Sequence, residues 1–564
     1  MTDTQVTDTQ VTELADELLE LTFDANPLWP TTLGLRSHLT GLPDHSESGE
    51  HALRGAALDV ASRAAALDPA TLSTEDAVTR DIVVHKAHAV ADEVTTRLVE
   101  YTVTDLFIAP AAELLTLLPK TTVTDAETTD AYLTRLAAIP DYLADVAERH
   151  RAGVAAGRTP VALLTRAAIE HIDRYLTDPA NDPLAGQELA AAAAAKRERL
   201  LADVVRPAFA AYRDVLADEI VEHGRPPERA GVGWLPDGEQ TYRTLCRIHT
   251  TTDRTPADLH QTGLDIIAAL TEEYAQLGKS VFGTSDQREI FARMTADPAM
   301  RWRDAEELLD SAKEAVARAE AAAPDWFGRV ADTPCAVEPV PAADAPGAPT
   351  AMYLWPSLDG TRPGIYFANT DRATERDRFL SEVMAFHEAV PGHHFQLSIA
   401  QQLTELPLLR RVDSPTAYAE GWGLYTERLA DEMGLYTSDT YRLGMLAVDS
   451  MRAGRLVVDT GLHAKGWSRE RAMAFLRENT PMSALEIANE INRYIAYPGQ
   501  ALSYMVGRLE IVRQRAKATE RLGAAFDLRA FHDTLLGGGA LPLAVLDQLI
   551  DRWIAGQTDG VSRP

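Results

Sequence analysis

His387-Glu388-Ala389-Val390-Pro391-Gly392-His393-His394 is the stretch on which the reading of this chain turns. Before it, Phe379, Leu380, Val383, Met384 and His387 follow a three-four rhythm. That rhythm predicts a helix, capped within Thr374 to Asp377, whose apolar, core-facing stripe ends in His387. One turn further stands Pro391. Proline cannot bind a metal, removes the backbone bond to the carbonyl of His387 and kinks the helix. Gly392 then allows an unusual backbone conformation. If Pro391 and Gly392 loop out as a two-residue bulge, His393 returns to the face of His387. In an unbroken helix His394 would share that face, but about 10.5 Å along the axis at about 1.5 Å per residue. His393 is therefore the favoured partner of His387, and His394 the alternative.

Two imidazoles on one face can grip a cation, and a catalytic zinc site takes three protein ligands with one position left for water. Glu420, in Ser414-Pro415-Thr416-Ala417-Tyr418-Ala419-Glu420-Gly421-Trp422-Gly423, is the candidate third ligand. Ser414 and Pro415 begin its helix in the preferred order. Gly421 and Gly423 each cost up to about 1 kcal/mol in helix propensity, which predicts close approach of a neighbouring helix. Glu427, two turns on, is the runner-up ligand or a support for one. Taken singly, a histidine on an apolar stripe is usually a core residue and a glutamate on a helix is usually solvated. The conjunction resembles the H-E-x-x-H signature of zinc peptidases, in which the glutamate activates the water, although here the second histidine arrives two residues late.

The formal net charge of -30 argues against a nucleic-acid partner and against anionic membrane surfaces. Only two cysteines, Cys246 and Cys335, occur in 564 residues, which excludes a disulfide scaffold. No secretory pattern opens the chain, and the Leu189–Ala195 run is too short to span a bilayer. A soluble, cytoplasmic protein is expected.

Thr2-Asp3-Thr4-Gln5-Val6 repeats as Thr7-Asp8-Thr9-Gln10-Val11, which reads as a frayed tail over 1–12. From about Glu13 to Asp310 the pattern is helical. Thr255-Pro256-Ala257-Asp258 and Ser483-Ala484-Leu485-Glu486 are helix starts. Between Asp332 and Thr370 prolines crowd the chain. There Ala351–Trp355 and Gly364–Ala368 read as short strands around a turn at Asp359-Gly360. The expected fold is mainly α, a large two-lobed helical body with a small β-ribbon before the metal-binding helix. Its parts are a disordered tail (1–12), an N-terminal helical lobe (13–330) and a catalytic region (331–564), in one continuous body.

The chain also resembles the domain-of-unknown-function family 885, itself similar to the gluzincin metallopeptidases that use His, His and Glu as ligands. His387, Glu388, Pro391, Gly392, His393 and Gln396 meet its H-E-x-x-P-G-H-x-x-Q pattern, and Glu420-Gly421-Trp422 its E-G-W motif. Arg455-Leu456-Val457-Val458-Asp459-Thr460-Gly461-Leu462-His463 is similar to another signature, as are Arg493-Tyr494 with Pro498 to Tyr504, Gly233 to Gly238, and Arg362-Pro363-Gly364. Met505 stands where many relatives carry lysine. The resemblance favours His393 over His394 and implies a cleft-bearing metallopeptidase fold.

The expected activity is zinc-dependent hydrolysis of an amide bond in a short peptide or small amide. Zn²⁺ would sit on His387, His393 and Glu420, and Glu388 would carry a proton from water to the leaving amine. Tyr504, after the Pro498-Gly499 break, is the expected oxyanion donor. Arg455, Asp459 and His463 share one helix face, so His463 could bond the substrate, or the three could form a structural ladder. Arg362 and Arg493 could clamp a carboxylate, and the ribbon at Gly364–Ala368 could take an extended peptide as an added strand. The alternatives are hydrolysis of a non-peptide amide or ester, and a non-catalytic binding protein with a vestigial metal site.

Overall fold

The three-four spacing of alanine and leucine is realised in a computed structural model of the chain, described over residues 3–341, 345, 348–358, 360 and 362–561. Helices make up 73% of it, so the class is mainly α. Its contacts divide the chain into two units.

The first unit comprises Met1–Ile248, Gly461–Ala472 and Glu490–Pro498. Helices α1 (Asp3–Ala25), α2 (Glu47–Ala65) and α3 (Thr74–Thr96) pack on one another. Ser46 and Ser73 cap α2 and α3 by accepting from the N–H groups of Gly49 and Asp76. Helix α4 (Ala126–Ala155) carries Leu136, Ile139, Leu143 and Val146 into a core shared with Phe209 and Leu216. The tail expected over 1–12 is instead helical from Asp3, residues 1 and 2 lying outside the described residues. Val11 is buried and opens the apolar stripe that continues through Leu14 and Leu18, so the duplicated segment is anchored to the core at its last residue.

The second unit comprises His249–Thr460, Met473–Asn489 and Gly499–Pro564. The division thus falls near residue 248, not 330. Helices α5 (Pro256–Phe282) and α6 (Ala305–Trp326) belong with the metal-candidate helices, because α6 packs on the helix that carries His387. The expected caps form: Thr255 accepts from the Asp258 N–H at 3.2 Å, and Ser483 from the Glu486 N–H at 3.2 Å.

A sheet of three strands follows α6: β1 (Cys335–Pro339), β2 (Ala351–Leu354) and β3 (Gly364–Ala368), in the order β1-β3-β2. β1 runs parallel to β3 and β2 antiparallel to it, with Tyr353 opposite Tyr366. β3 is therefore central, with both edges paired, and cannot accept a further strand as expected. β1 and β2 are the outer strands, each paired on one side only. Asp359 of the expected turn lies outside the described residues.

Five helices surround the site. Two 3₁₀ turns, not a capped α-helix, lead from Ala373 to Leu380, and α7 spans only Ser381–Glu388. Then come α8 (His393–Gln402), α9 (Thr416–Glu432), α10 (Asp439–Ala464) and α11 (Ser503–Leu522). Pro415 rather than Ser414 takes the cap position of α9, without a side-chain cap. A Cβ on Gly421 would lie 2.5 Å from the Gly507 backbone, and one on Gly507 would lie 1.7 Å from the Ala417 carbonyl oxygen. Glycine at both positions lets α9 and α11 meet backbone to backbone, the close approach expected of Gly421.

Candidate metal centre

The break between α7 and α8 covers four residues, Ala389 to Gly392, so it is wider than a two-residue bulge. Several of its polar groups have partners. The Ala389 N–H completes α7 by donating to the Ala385 carbonyl at 2.9 Å, and the Gln396 N–H donates to the Gly392 carbonyl at 3.1 Å. The indole Nε1–H of Trp422 donates to the Pro391 carbonyl at 2.9 Å, and the Thr426 hydroxyl to the Phe386 carbonyl at 3.2 Å. Helix α9 thus clasps the break. A Cβ on Gly392 would lie 1.9 Å from the carbonyl oxygen of His387. Only glycine lets the chain fold back over the end of α7.

This fold-back brings His387, His393 and Glu420 together as the one three-residue group among the described residues able to hold a metal, their ligand atoms all within 4.8 Å of one another. Glu420 Oε2 lies 3.5 Å from His387 Nε2 and 3.4 Å from His393 Nε2. These separations exceed those of charge-assisted hydrogen bonds. They match the edge of a tetrahedron: donors about 2.0–2.1 Å from a zinc ion at tetrahedral angles stand about 3.3–3.4 Å apart. Glu420 Oε2 is buried and makes no hydrogen bond, a polar atom whose missing partner a cation would supply. A two-histidine, one-carboxylate donor set suits zinc. Helix α9 approaches closely enough for this because residue 423 is glycine: a Cβ there would lie 2.8 Å from the His387 ring.

His387 Nδ1 pairs with Glu427 Oε1 at 2.7 Å, and Glu427 is fully buried. The glutamate fixes the ring so that Nε2 faces the cluster, the usual carboxylate support of a metal-binding histidine. Burial opposes charge on His387, yet Glu420 and Glu427 together push its pKa up to about 10. Burial likewise opposes ionisation of Glu420, but the two imidazoles hold its carboxyl well below the usual range. The cluster therefore favours a positive charge at its centre.

His394 is turned elsewhere. Its Nδ1 takes the Tyr353 hydroxyl at 2.9 Å and its Nε2 meets the Thr333 carbonyl at 2.8 Å. The Nε2–H tautomer satisfies both partners. His393→Ala is accordingly expected to abolish stoichiometric metal binding. His394→Ala should keep the metal and lose about 1–3 kcal/mol of stability through its stranded partners. Elemental analysis and denaturant titration of the two variants check this, and the reverse pattern would assign the ligand to His394.

Glu388 closes α7, is half-buried and makes no hydrogen bond or ion pair among the described residues. The Tyr504 ring carries two guanidiniums, Arg452 at 4.0 Å and Arg455 at 4.5 Å from its centroid. Arg362 donates to the Trp355 carbonyl at 2.7 Å and closes the β2–β3 connection. Arg493 lies in the first unit, 3.7 Å from Glu490. Asp459 accepts from the Gly499 N–H at 3.1 Å within the second unit. His463 belongs to the first unit and is fully buried. Its Nδ1 accepts from the Val232 N–H at 3.0 Å and its Nε2 donates to the Tyr494 carbonyl at 3.0 Å. Burial pushes its pKa down to about 3. With both nitrogens spent on backbone, His463 holds the Val232 turn and does not serve a substrate. The helical spacing of Arg455, Asp459 and His463 was a packing pattern.

A comparison with curated proteins found no match. Two solved structures resemble the chain along its length. A protein provisionally named a lipoprotein, from Colwellia psychrerythraea, is 26% identical with a TM-score of 0.89, the match covering 97% of this chain and 99% of that one. Another so named and described as of unknown function, from Shewanella oneidensis, is 17% identical with a TM-score of 0.75, covering 96% and 99%, and shows the fold alone. The family model described as a bacterial protein of unknown function, DUF885, matches residues 27–550, and the chain belongs to that family.

Proposed function

We propose that this protein is a zinc-dependent hydrolase that cleaves an amide bond in a short peptide. The observation that carries the reading is the convergence of His387, His393 and Glu420, with Glu420 at tetrahedral-edge separations from both imidazoles and its buried carboxylate oxygen left without a partner. Bound there, the ion supplies Lewis acidity, which activates water and polarises a carbonyl. The protein's own residues do the rest. Glu388 takes one proton from the attacking water and delivers it to the leaving nitrogen. The water oxygen bonds to the carbonyl carbon, the carbon–nitrogen bond breaks, and the second water proton stays on the new carboxyl group until it ionises. Glu427 holds His387 in register throughout. Tyr504 is the proposed donor to the carbonyl oxygen as charge develops there. An extended peptide is expected to pair along the outer edge of β2, which Tyr353 ties to His394 beside the ligand.

Zinc-free protein, zinc-loaded protein and zinc-loaded Glu388→Gln protein, each given a library of short peptides and a panel of acylated small molecules, test the reading. Peptide cleavage by the loaded wild type alone is expected. Cleavage of the small molecules alone would move the substrate to non-peptide amides or esters, and no zinc-dependent cleavage of either set would end the hydrolase reading.

Glu427→Gln keeps the volume and removes the charge behind His387. Zinc affinity should fall about 10–100-fold, measured by competition with a chelating dye. An unchanged affinity would show that Glu427 does not support the ligand.

A further inference from the structure

Gly364 and Tyr366 are two residues apart on β3, so their side chains leave the same face of the sheet. Gly364 shows where that face points: a Cβ there would lie 2.6 Å from His394 Nδ1 and 2.2 Å from the Tyr353 hydroxyl. Tyr353 agrees. It stands directly opposite Tyr366 in the antiparallel pair, and its hydroxyl bonds His394 Nδ1 at 2.9 Å. Opposed residues of such a pair share a face. Tyr366 is thus sent from the central strand toward α8, whose first residue is His393.

The tyrosine is 2% exposed, and its hydroxyl, not among the fully buried polar atoms, makes no hydrogen bond among the described residues. A buried phenol normally has a partner, as Tyr353 has. Burial first, and then the charge of Glu388, push the Tyr366 pKa up, so it stays protonated and able to donate. Tyr366 thus feels the charge of Glu388 and leaves its strand on the face that carries Gly364 toward His394, and neither its hydroxyl nor the Glu388 carboxylate has a hydrogen-bond partner among the described residues.

We infer that Tyr366 is a catalytic residue of this site, its hydroxyl donating a hydrogen bond to the substrate carbonyl oxygen as that oxygen becomes negative. The inference rests on the hydrolase reading. A neutral donor from a rigid central strand is placed before the reaction begins, which is what makes such donors effective. Tyr366 would be a second donor to the oxygen assigned above to Tyr504, whose ring, unlike that of Tyr366, is covered by two guanidiniums.

The test uses the full-length, zinc-loaded chain with Tyr366→Phe, Tyr504→Phe and Glu388→Gln measured side by side. Tyr366→Phe is expected to lower kcat about 10²–10³-fold. KM, zinc content and Tm should hold at wild-type values, because its hydroxyl has no resting partner to lose. A Tyr366→Phe protein with wild-type kcat, beside an inactive Glu388→Gln protein, would overturn the inference and leave the hydrolase standing. A marked fall in Tm would also overturn it, by showing that the hydroxyl is structural. A loaded wild type that hydrolyses nothing would overturn both.

Discussion

Glu388→Gln is expected to bind zinc as the wild type does and to lose about 10²–10⁴-fold in kcat, the contribution of a positioned general base. The separation of the two effects follows from the break after α7. His387 and His393 are brought to one point with Glu420, while Glu388, one residue round from His387, is outside that group. Glutamine preserves the volume and the polarity of the side chain but cannot accept the water proton. Loss of zinc together with activity would make Glu388 a structural partner of the cluster. Retained activity would end its assignment as the base.

Gly392→Ala should do the opposite, removing the metal site by removing its backbone. The added methyl group would lie 1.9 Å from the His387 carbonyl oxygen and 2.4 Å from that of Phe386. Both obstacles are backbone, so neither can rotate away, and overpacking of this kind is expected to cost about 3 kcal/mol. The structure can relieve the clash only by reopening the fold-back, and that moves His393 away from His387 and Glu420. Zinc then no longer stabilises the folded form, so the rise in Tm on adding zinc should vanish along with the intrinsic stability. A Gly392→Ala protein with the wild-type zinc-induced rise would show that the fold-back is not what assembles the ligands.

Much of this was legible locally. The helix-breaking Pro391-Gly392 between two imidazoles, the glycines flanking Glu420 and the paired hydroxyl and carboxylate at Thr255 and Asp258 act within a turn or two of themselves. What escaped reading depends on distant partners. β1 is five residues bounded by Pro334 and Pro339, too short and too weakly β-branched to announce itself, and it exists because β3 pairs with it. Its presence is what makes β3 central and leaves β1 and β2 as the outer strands. His463 sits at helical spacing from Asp459, but spacing cannot tell that a turn at Val232 and the carbonyl of Tyr494 await its two nitrogens. Tyr366 had a signal in the alternation Gly364-Ile365-Tyr366. Which face of that strand meets α8 follows only from the register with Tyr353.

Diffraction from zinc-loaded crystals of the full chain, measured on both sides of the zinc absorption edge, tests the central claim most directly. A single anomalous peak enclosed by His387, His393 and Glu420, with His394 still bonded to Tyr353, is the expected result. Zinc found elsewhere, with those three side chains uncoordinated, would contradict it.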